Sequence, residues 1–401
     1  AALASVQFTH IMDFMIMMPL GPQLMRVFEI EAPAFGLLVS AYTFAAGFAG
    51  LIGSFFIDRF SRRRALLFIY TGFMLGTLAC ALAPGYETLL LMRVLTGLFG
   101  GLIGALVLAI VGDAIPFERR GRAMGVIMLA FSAASVVGVP GGLYFANLFT
   151  WQAPFYLLAA FSAVVLAMCY FSVPSLAGHL RAGAGGNFGE RFRAFGVLAG
   201  IVRDGNQQRA LLLMFLMMVG HFAVIPYIAP YMVQNVGITE EQILWIYMIG
   251  GASTIVSSPI VGRLADRLGK ARVFVVFVLF TFVPIFLITN LPPSSLYTVL
   301  VATTMFFIAS SGRMIPAMAL ISSAAPPATR GGVLAGQAAV QQIGSGSAAL
   351  IGGLIIATGA DGQLAYYEWI GYMAMTSGLL CVALVRFVRP VPDGVGERVG
   401  T

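Results

Sequence analysis

Apolar runs dominate this chain, and polar residues are confined to short gaps between them. Runs of about 20 mostly apolar residues, the length that crosses the hydrocarbon core of a bilayer, recur twelve times. They cover 5–25, 34–57, 65–83, 87–111, 122–146, 151–173, 210–232, 242–262, 272–290, 296–320, 332–357 and 368–388. Each is predicted to be a helix, because a spanning segment must satisfy its own backbone hydrogen bonds. The break after the sixth run, 174–209, is the longest polar stretch. It holds Gly178, Gly183, Gly185, Gly186 and Gly189, as a linker does. Within it Phe188, Phe192, Phe195, Leu198 and Ile201 recur at helical spacing among Arg191, Arg193, Arg203 and Arg209. That pattern predicts an amphipathic helix lying on the membrane surface, with a partly ordered tether as the alternative. The predicted organisation is all-α and membrane-embedded: a six-helix bundle over 1–177, a linker over 178–209 and a second bundle over 210–401.

The two predicted bundles repeat one another. A charged stretch, Asp58-Arg59-Phe60-Ser61-Arg62-Arg63-Arg64, returns as Asp266-Arg267-Leu268-Gly269-Lys270-Ala271-Arg272, 208 positions on. Pro116, Arg120 and Gly121 return as Pro326, Arg330 and Gly331, 210 positions on. Duplication in so apolar a chain points to a transporter built from two similar halves.

Composition agrees. Of 401 residues 59% are apolar and only 10% charged, far below the roughly 25% charged residues of a soluble domain. The net charge of +7 does not indicate nucleic acid, because the basic residues form neither one face nor one tail. Instead, 20 of the 23 lie in the gaps 58–64, 113–122, 178–209, 263–272, 330 and 386–401, whereas the opposite gaps hold Arg26 with several acidic residues. Basic gaps mark the cytoplasmic side, so both termini and both Asp-Arg stretches are expected in the cytoplasm. Cys80, Cys169 and Cys381 fall far apart within apolar runs, without metal-ligand spacing. No phosphate-cradling G-x-x-x-x-G-K-[ST] and no H-E-x-x-H occurs. Direct use of ATP and intramembrane hydrolysis are therefore not expected, nor is a metal or other cofactor.

Ionisable residues inside spanning segments are costly and usually face a cavity. The first segment carries His10 and Asp13, three apart and hence on one helix face; Arg93, His221 and Arg313 lie in the fourth, seventh and tenth. Adding 208 to Asp13 gives His221, and adding it to Pro22 gives Pro230, so these are equivalent positions. Asp13 and His221 are expected to face each other across a central cavity. Histidine titrates at about pH 6.5, and burial disfavours a charged carboxylate, so either group could carry a proton. Asp13 is the preferred carrier, with His221 and Arg93 tuning it; the competing reading makes these residues polar helix-helix contacts. Arg93 lies where it could instead snorkel to the interface. Arg313, followed by Pro316, could hold an anionic substrate group, pair with proton-free Asp13, or cap carbonyls freed by the proline. Gln341 and Gln342 add polar groups, and Met17 and Met217 are candidate cavity thioethers able to adapt to varied apolar substrates; packing against lipid is the alternative. The cavity set is thus His10, Arg313, Gln341, Met17 and Met217.

Gly262-Arg263-Leu264-Ala265-Asp266-Arg267-Leu268-Gly269-Lys270 closely resembles the cytoplasmic signature G-x-L-A-D-R-x-G-R-R of the major facilitator superfamily; the first copy departs, with Ser54 and Ser61 where glycines are usual. Arg93 to Gly97 resembles the R-x-x-x-G element of proton-coupled members. Gly125 with Gly138-Val139-Pro140-Gly141-Gly142 resembles, with proline displaced, the antiporter signature of the drug, sugar and nucleoside efflux branch. The resemblance implies two pseudo-symmetric six-helix bundles and a cytoplasmic gate. In it Asp58 docks near Gly331 and Gly332, Asp266 near Gly121, and Arg62 or Arg64 pairs with Asp113, with Arg59 and Arg267 beside them. It implies proton-coupled efflux of small amphipathic or apolar compounds by alternating access. Export of a sugar or nucleoside, and uncoupled facilitation or lipid translocation, are the alternatives. Small-molecule substrate, protons and membrane lipids are the expected partners, and a monomer in a bacterial inner membrane is the expected state.

Overall fold

The computed structural model describes residues 1–53, 60–174, 204–325, 330–359 and 362–391. The surface helix expected over Phe188–Ile201, Asp58, Arg59 and the Gly331–Gly332 side of their docking site lie outside the described residues or side chains. Among the described residues eleven helices are long and apolar enough to span a bilayer, and one bent pair makes a twelfth.

The first half contains α1 (Ala2–Ile16), α2 (Gly21–Val27), α3 (Ala32–Gly53), α4 (Arg62–Ala81) and α5 (Tyr86–Ala114). It continues with α6 (Phe117–Ala133), α7 (Val139–Leu148) and α8 (Ala153–Ser172). The second half contains α9 (Gly205–Phe222), α10 (Ile225–Tyr231), α11 (Glu240–Leu268) and α12 (Lys270–Thr289). It ends with α13 (Leu296–Ser323), α14 (Arg330–Ile355) and α15 (Tyr367–Val385). A two-residue hairpin, β1 (Ala357–Thr358) with β2 (Leu364–Ala365), links the last two and is tied to α10's extension through Asn235 and Leu364.

Local chemistry sets the helix ends. The seventh span begins at Gly205, not at 210, because its first turn is polar and an apolar window misses it; Asp204 caps it by accepting from the N–H groups of Asn206 and Gln207. Thr239 and Gln242 form a reciprocal capping box at the start of α11.

The regular α pattern is interrupted near proline in three spans. The expected first segment is two helices, α1 and α2, meeting at 55° before Gly21-Pro22. Between α6 and α7 the chain widens into a π turn, Ala134–Gly138, in which the Val139 N–H reaches back to the Ala134 carbonyl. Pro140 follows and has no N–H to restore the α pattern. A second π turn, Met232–Val236, follows Pro230. The breaks after α1 and α9 fall at equivalent places in the two halves.

Among the described residues the basic gaps Arg62–Arg64, Arg263–Arg272 and Arg386–Arg389 all fall at helix ends on one side of the bundle. At the opposite end the halves share one apolar core, in which Met17, Leu20, Leu24 and Phe35 of the first half meet Ala223, Tyr227, Tyr231 and Ile246 of the second. Toward the arginine-rich end each half keeps its own core, around Tyr70, Phe73 and Val107 in one and around Met214, Phe274 and Ile321 in the other. The most extensive helix contact crosses the halves, α3 along α14. A second crossing brings α11 onto the π turn: a Cβ on Gly251 would sit 3.0 Å from the Ser135 carbonyl, so a larger residue would part the halves there. Arg26 of α2 makes a bidentate ion pair with Glu240 of α11, bridging the halves at the arginine-poor end. Large side chains such as Phe68, Phe171, Val256 and Leu354 point outward and exposed, as on a surface that meets lipid.

Candidate functional site

Two buried polar pairs flank the helix breaks, one in each half. In the first, Asp13 of α1 is wholly buried and Arg93 of α5 is 1% exposed. Arg93 Nη1 donates to Asp13 Oδ2 at 2.8 Å and lies 3.4 Å from the Asp13 main-chain oxygen. Thr77 of α4 donates to Oδ1 at 3.0 Å. The guanidinium also lies over the Tyr42 ring, 4.3 Å from its centroid, a cation–π contact in a desolvated setting. Tyr42 can come so close because α3 presses on α5 at Gly97, where a Cβ would run into the Tyr42 carbonyl. Arg93 thus does not snorkel; a carboxylate four helices deep holds it. Such a pair is finely balanced, because removing either partner leaves an uncompensated buried charge, at a typical cost of about 3–5 kcal/mol.

In the second pair Arg313 of α13, 3% exposed, approaches His221 Nδ1 at 3.3 Å. The His221 ring stacks on Phe306, with centroids 6.0 Å apart and planes at 12°. Arg313 is thus the partner of His221 and not of Asp13. Each titratable residue instead engages an arginine of its own half, because the nearest buried cation lies on the neighbouring helix of the same bundle. The two halves meet between these pairs through Phe14 and Phe222, whose rings are 5.7 Å apart.

The remaining candidates divide. His10 lies one turn from Asp13, edge-on to Phe73, and both its ring nitrogens are buried without partners. Gln341 is half-buried, and its carbonyl accepts from Ser345. Met17 and Met217 are corrections: both are packed in apolar cores, Met17 where the halves join and Met217 within the second half. Flexible thioethers fill core gaps readily, and neither side chain lines an open space. At the arginine-rich end Arg62 Nε donates to Asp113 Oδ2 at 2.8 Å, joining the start of α4 to the end of α5. Asp266 and Arg267 are exposed, and among the described residues neither is in an ion pair. The start of α6, where Asp266 is expected to dock, has most of its side chains outside those described. Sequence reasoning passed over Thr77, Tyr42 and Gln337; Gln337 is 3% exposed, reaches the Met318 sulfur and leaves its carbonyl oxygen unpartnered. The signal for each was only a polar side chain in an apolar run.

Comparison with known proteins agrees with this architecture. The family description of the Major Facilitator Superfamily matches residues 3–202 and 210–400, nearly the whole chain. The chain is 26% identical over 368 residues to the putative transporter AraJ of Escherichia coli strain K12, covering 88% of this chain and 84% of that one. It is 23% identical over 372 residues to a probable sugar efflux transporter of Helicobacter pylori strain J99, covering 90% and 88%. It also matches the inner membrane transport protein YdhP of Escherichia coli strain K12 at 26% over 251 residues, and this match spans 62% of each chain. Among solved structures the fold is similar to a D-xylose-proton symporter, with a TM-score of 0.75, 16% identity and coverage of 98% and 96%. It is likewise similar to an inward-facing bacterial homologue of the human lysosomal transporter Spinster, with a TM-score of 0.71, 16% identity and coverage of 96% and 93%. The chain is an integral membrane transporter, not an enzyme, and it belongs to the Major Facilitator Superfamily.

Proposed function

We propose that this transporter exports small amphipathic or apolar compounds in exchange for protons, with Asp13 as the proton carrier. The observation that carries the reading is the fully buried Asp13–Arg93 pair, set beside the broken first span and held by Thr77. A buried carboxylate is costly to keep without a use, and a proton is the smallest ligand that can dismantle its ion pair. The arginine-rich end is the cytoplasmic one; the end sealed by the shared core and by Arg26–Glu240 faces outward, and both termini are cytoplasmic. In the conformation described here the outer side is shut and Asp13 is paired with Arg93, the state expected after a proton has been given up inside. Substrate entering from the cytoplasm then competes with the closed pair. Reopening to the outside lets Asp13 take up the next proton, freeing Arg93. Asp58, Asp266, Arg59, Arg62, Asp113 and Arg267 form the cytoplasmic gate, which the opposite state would close. The protein acts as a monomer.

The test is proton release from the detergent-purified protein on adding a panel of amphipathic compounds, read with a pH indicator for wild type and Asp13→Asn. Ligand-triggered release in wild type that is absent from Asp13→Asn is expected. Binding without release in either protein overturns proton exchange and leaves a facilitator. The relative described as a probable sugar efflux transporter, with half-buried Gln341 and buried Gln337, supports sugar export as the second reading, so sugars belong in the panel.

A further inference from the structure

The two buried pairs are equivalent in position but not in charge. In the first half a cation, Arg93, has its anion, Asp13. In the second half the position equivalent to Asp13 is His221. Its Nδ1 receives the Arg313 guanidinium, and a ring nitrogen that accepts in this way carries no proton. Among the described residues Arg313 has no carboxylate partner, although it is 97% buried. The second site therefore holds one positive charge that, among the described residues, no carboxylate compensates. A buried charge of this kind is among the most costly features a fold can keep.

A second, independent observation points the same way. Ser310 lies three residues before Arg313 and Phe306 seven before it, so the three share one face of α13. Ser310 is 6% exposed, and its hydroxyl has no partner. The site thus offers unspent donors, the guanidinium and a hydroxyl, and no spare carboxylate. Its walls are aromatic. Phe306 lies flat on His221, Phe222 stands edge-on to it, and Phe222 meets Phe14 across the halves.

We propose that Arg313, with Ser310 and His221, is the subsite for an anionic group of the transported molecule, so that the substrates are amphipathic organic anions with an aromatic or apolar body. The ligand supplies to Arg313 the charge that Asp13 supplies to Arg93. A carboxylate accepts from the guanidinium through two oxygens, and its apolar body packs among Phe306, Phe222 and Phe14. The proposal rests on the transport reading above and narrows its substrate class. It also implies that each turnover moves a negative charge outward as a proton moves inward.

The test compares 2-naphthoate with its uncharged counterpart 2-naphthamide on the purified full-length protein at one fixed pH. Binding is read by calorimetry and by the shift in thermal unfolding midpoint. Wild type is expected to prefer the carboxylate by about ten-fold or more, the ratio that one charge-assisted hydrogen bond supplies. Arg313→Gln is expected to abolish the preference. His221→Asp rebuilds in the second half the pair seen in the first, so it should raise the unfolding midpoint without ligand and also abolish the preference. That variant keeps the test decisive if Arg313→Gln fails to fold. Asp13→Asn is expected to keep the preference while losing ligand-triggered proton release, which separates this proposal from proton exchange. Equal responses of wild type to the two probes, including no response to either, overturn the proposal. So does a preference that survives His221→Asp.

Discussion

The transport chemistry proposed above rests on single ionisable residues whose neighbours decide what they can do. Asp13 and His221 were legible in the sequence, because an aspartate or histidine inside an apolar run stands out and an offset of 208 makes the two equivalent. Their partners were not legible: spacing along one helix says nothing about which arginine of another helix will reach in. Arg93 looked near enough to an interface to escape to water, yet Thr77 and Tyr42 complete a pocket around it. Three expected outcomes follow from the pair. Arg93→Gln leaves the Asp13 carboxylate without its cation, and in detergent its unfolding midpoint should drop by several degrees, equivalent to about 3–5 kcal/mol. The double variant Asp13→Asn with Arg93→Gln removes both charges and should recover most of that loss, so the two effects should be strongly non-additive. If the losses simply add, the two side chains are not the coupled pair described here. Thr77→Val removes one donor to the carboxylate and should cost about 1.5–3 kcal/mol by the same assay.

At the scale of elements, twelve spans could be counted from apolar length alone, but their interruptions could not. Apolar windows are blind to whether a helix bends, so the first span was expected to be continuous, although the turn at 17–20, which contains Pro19, splits it into α1 and α2. The π turn before Pro140 has a cause visible in hindsight: a missing N–H cannot close an α turn, and the Val139 N–H bonds one residue further back. The turn has consequences for contact. It sets the face of α7 that meets α1, where a Cβ on Gly142 would press on Ile16 and Met12. Pro140→Ala restores the donor and lets the turn tighten, rotating Val139–Leu148 by roughly 100°, the angle of one helical residue. Transport should then be lost while the protein still elutes as a folded monomer in size-exclusion chromatography. Full transport activity in Pro140→Ala would show that the widened turn is incidental.

For the whole molecule, the duplicated halves were evident from the repeated Asp-Arg stretches, but the conformation was not, since one sequence must support both an outward and an inward state. The described conformation joins the halves at the arginine-poor end through a shared core, with Arg26–Glu240 at its rim. Exposed ion pairs contribute little, up to about 1 kcal/mol, yet that is enough to shift a balanced two-state population about five-fold. Spin labels at the exposed positions 149 and 297, one on each half at that end, should report a longer distance in Arg26→Glu. The double swap Arg26→Glu with Glu240→Arg should restore the shorter one. An unchanged distance distribution in Arg26→Glu would mean that the apolar core alone sets the closure. The central claim, that a proton on Asp13 drives the alternation, is tested most directly in inside-out vesicles loaded with the transporter and energised by an acid interior. Wild type should accumulate an amphipathic fluorescent substrate and lose it when an uncoupler is added. Asp13→Asn should fail to accumulate the substrate yet still exchange it down its gradient. Uncoupler-sensitive accumulation by Asp13→Asn at the wild-type level would contradict the account.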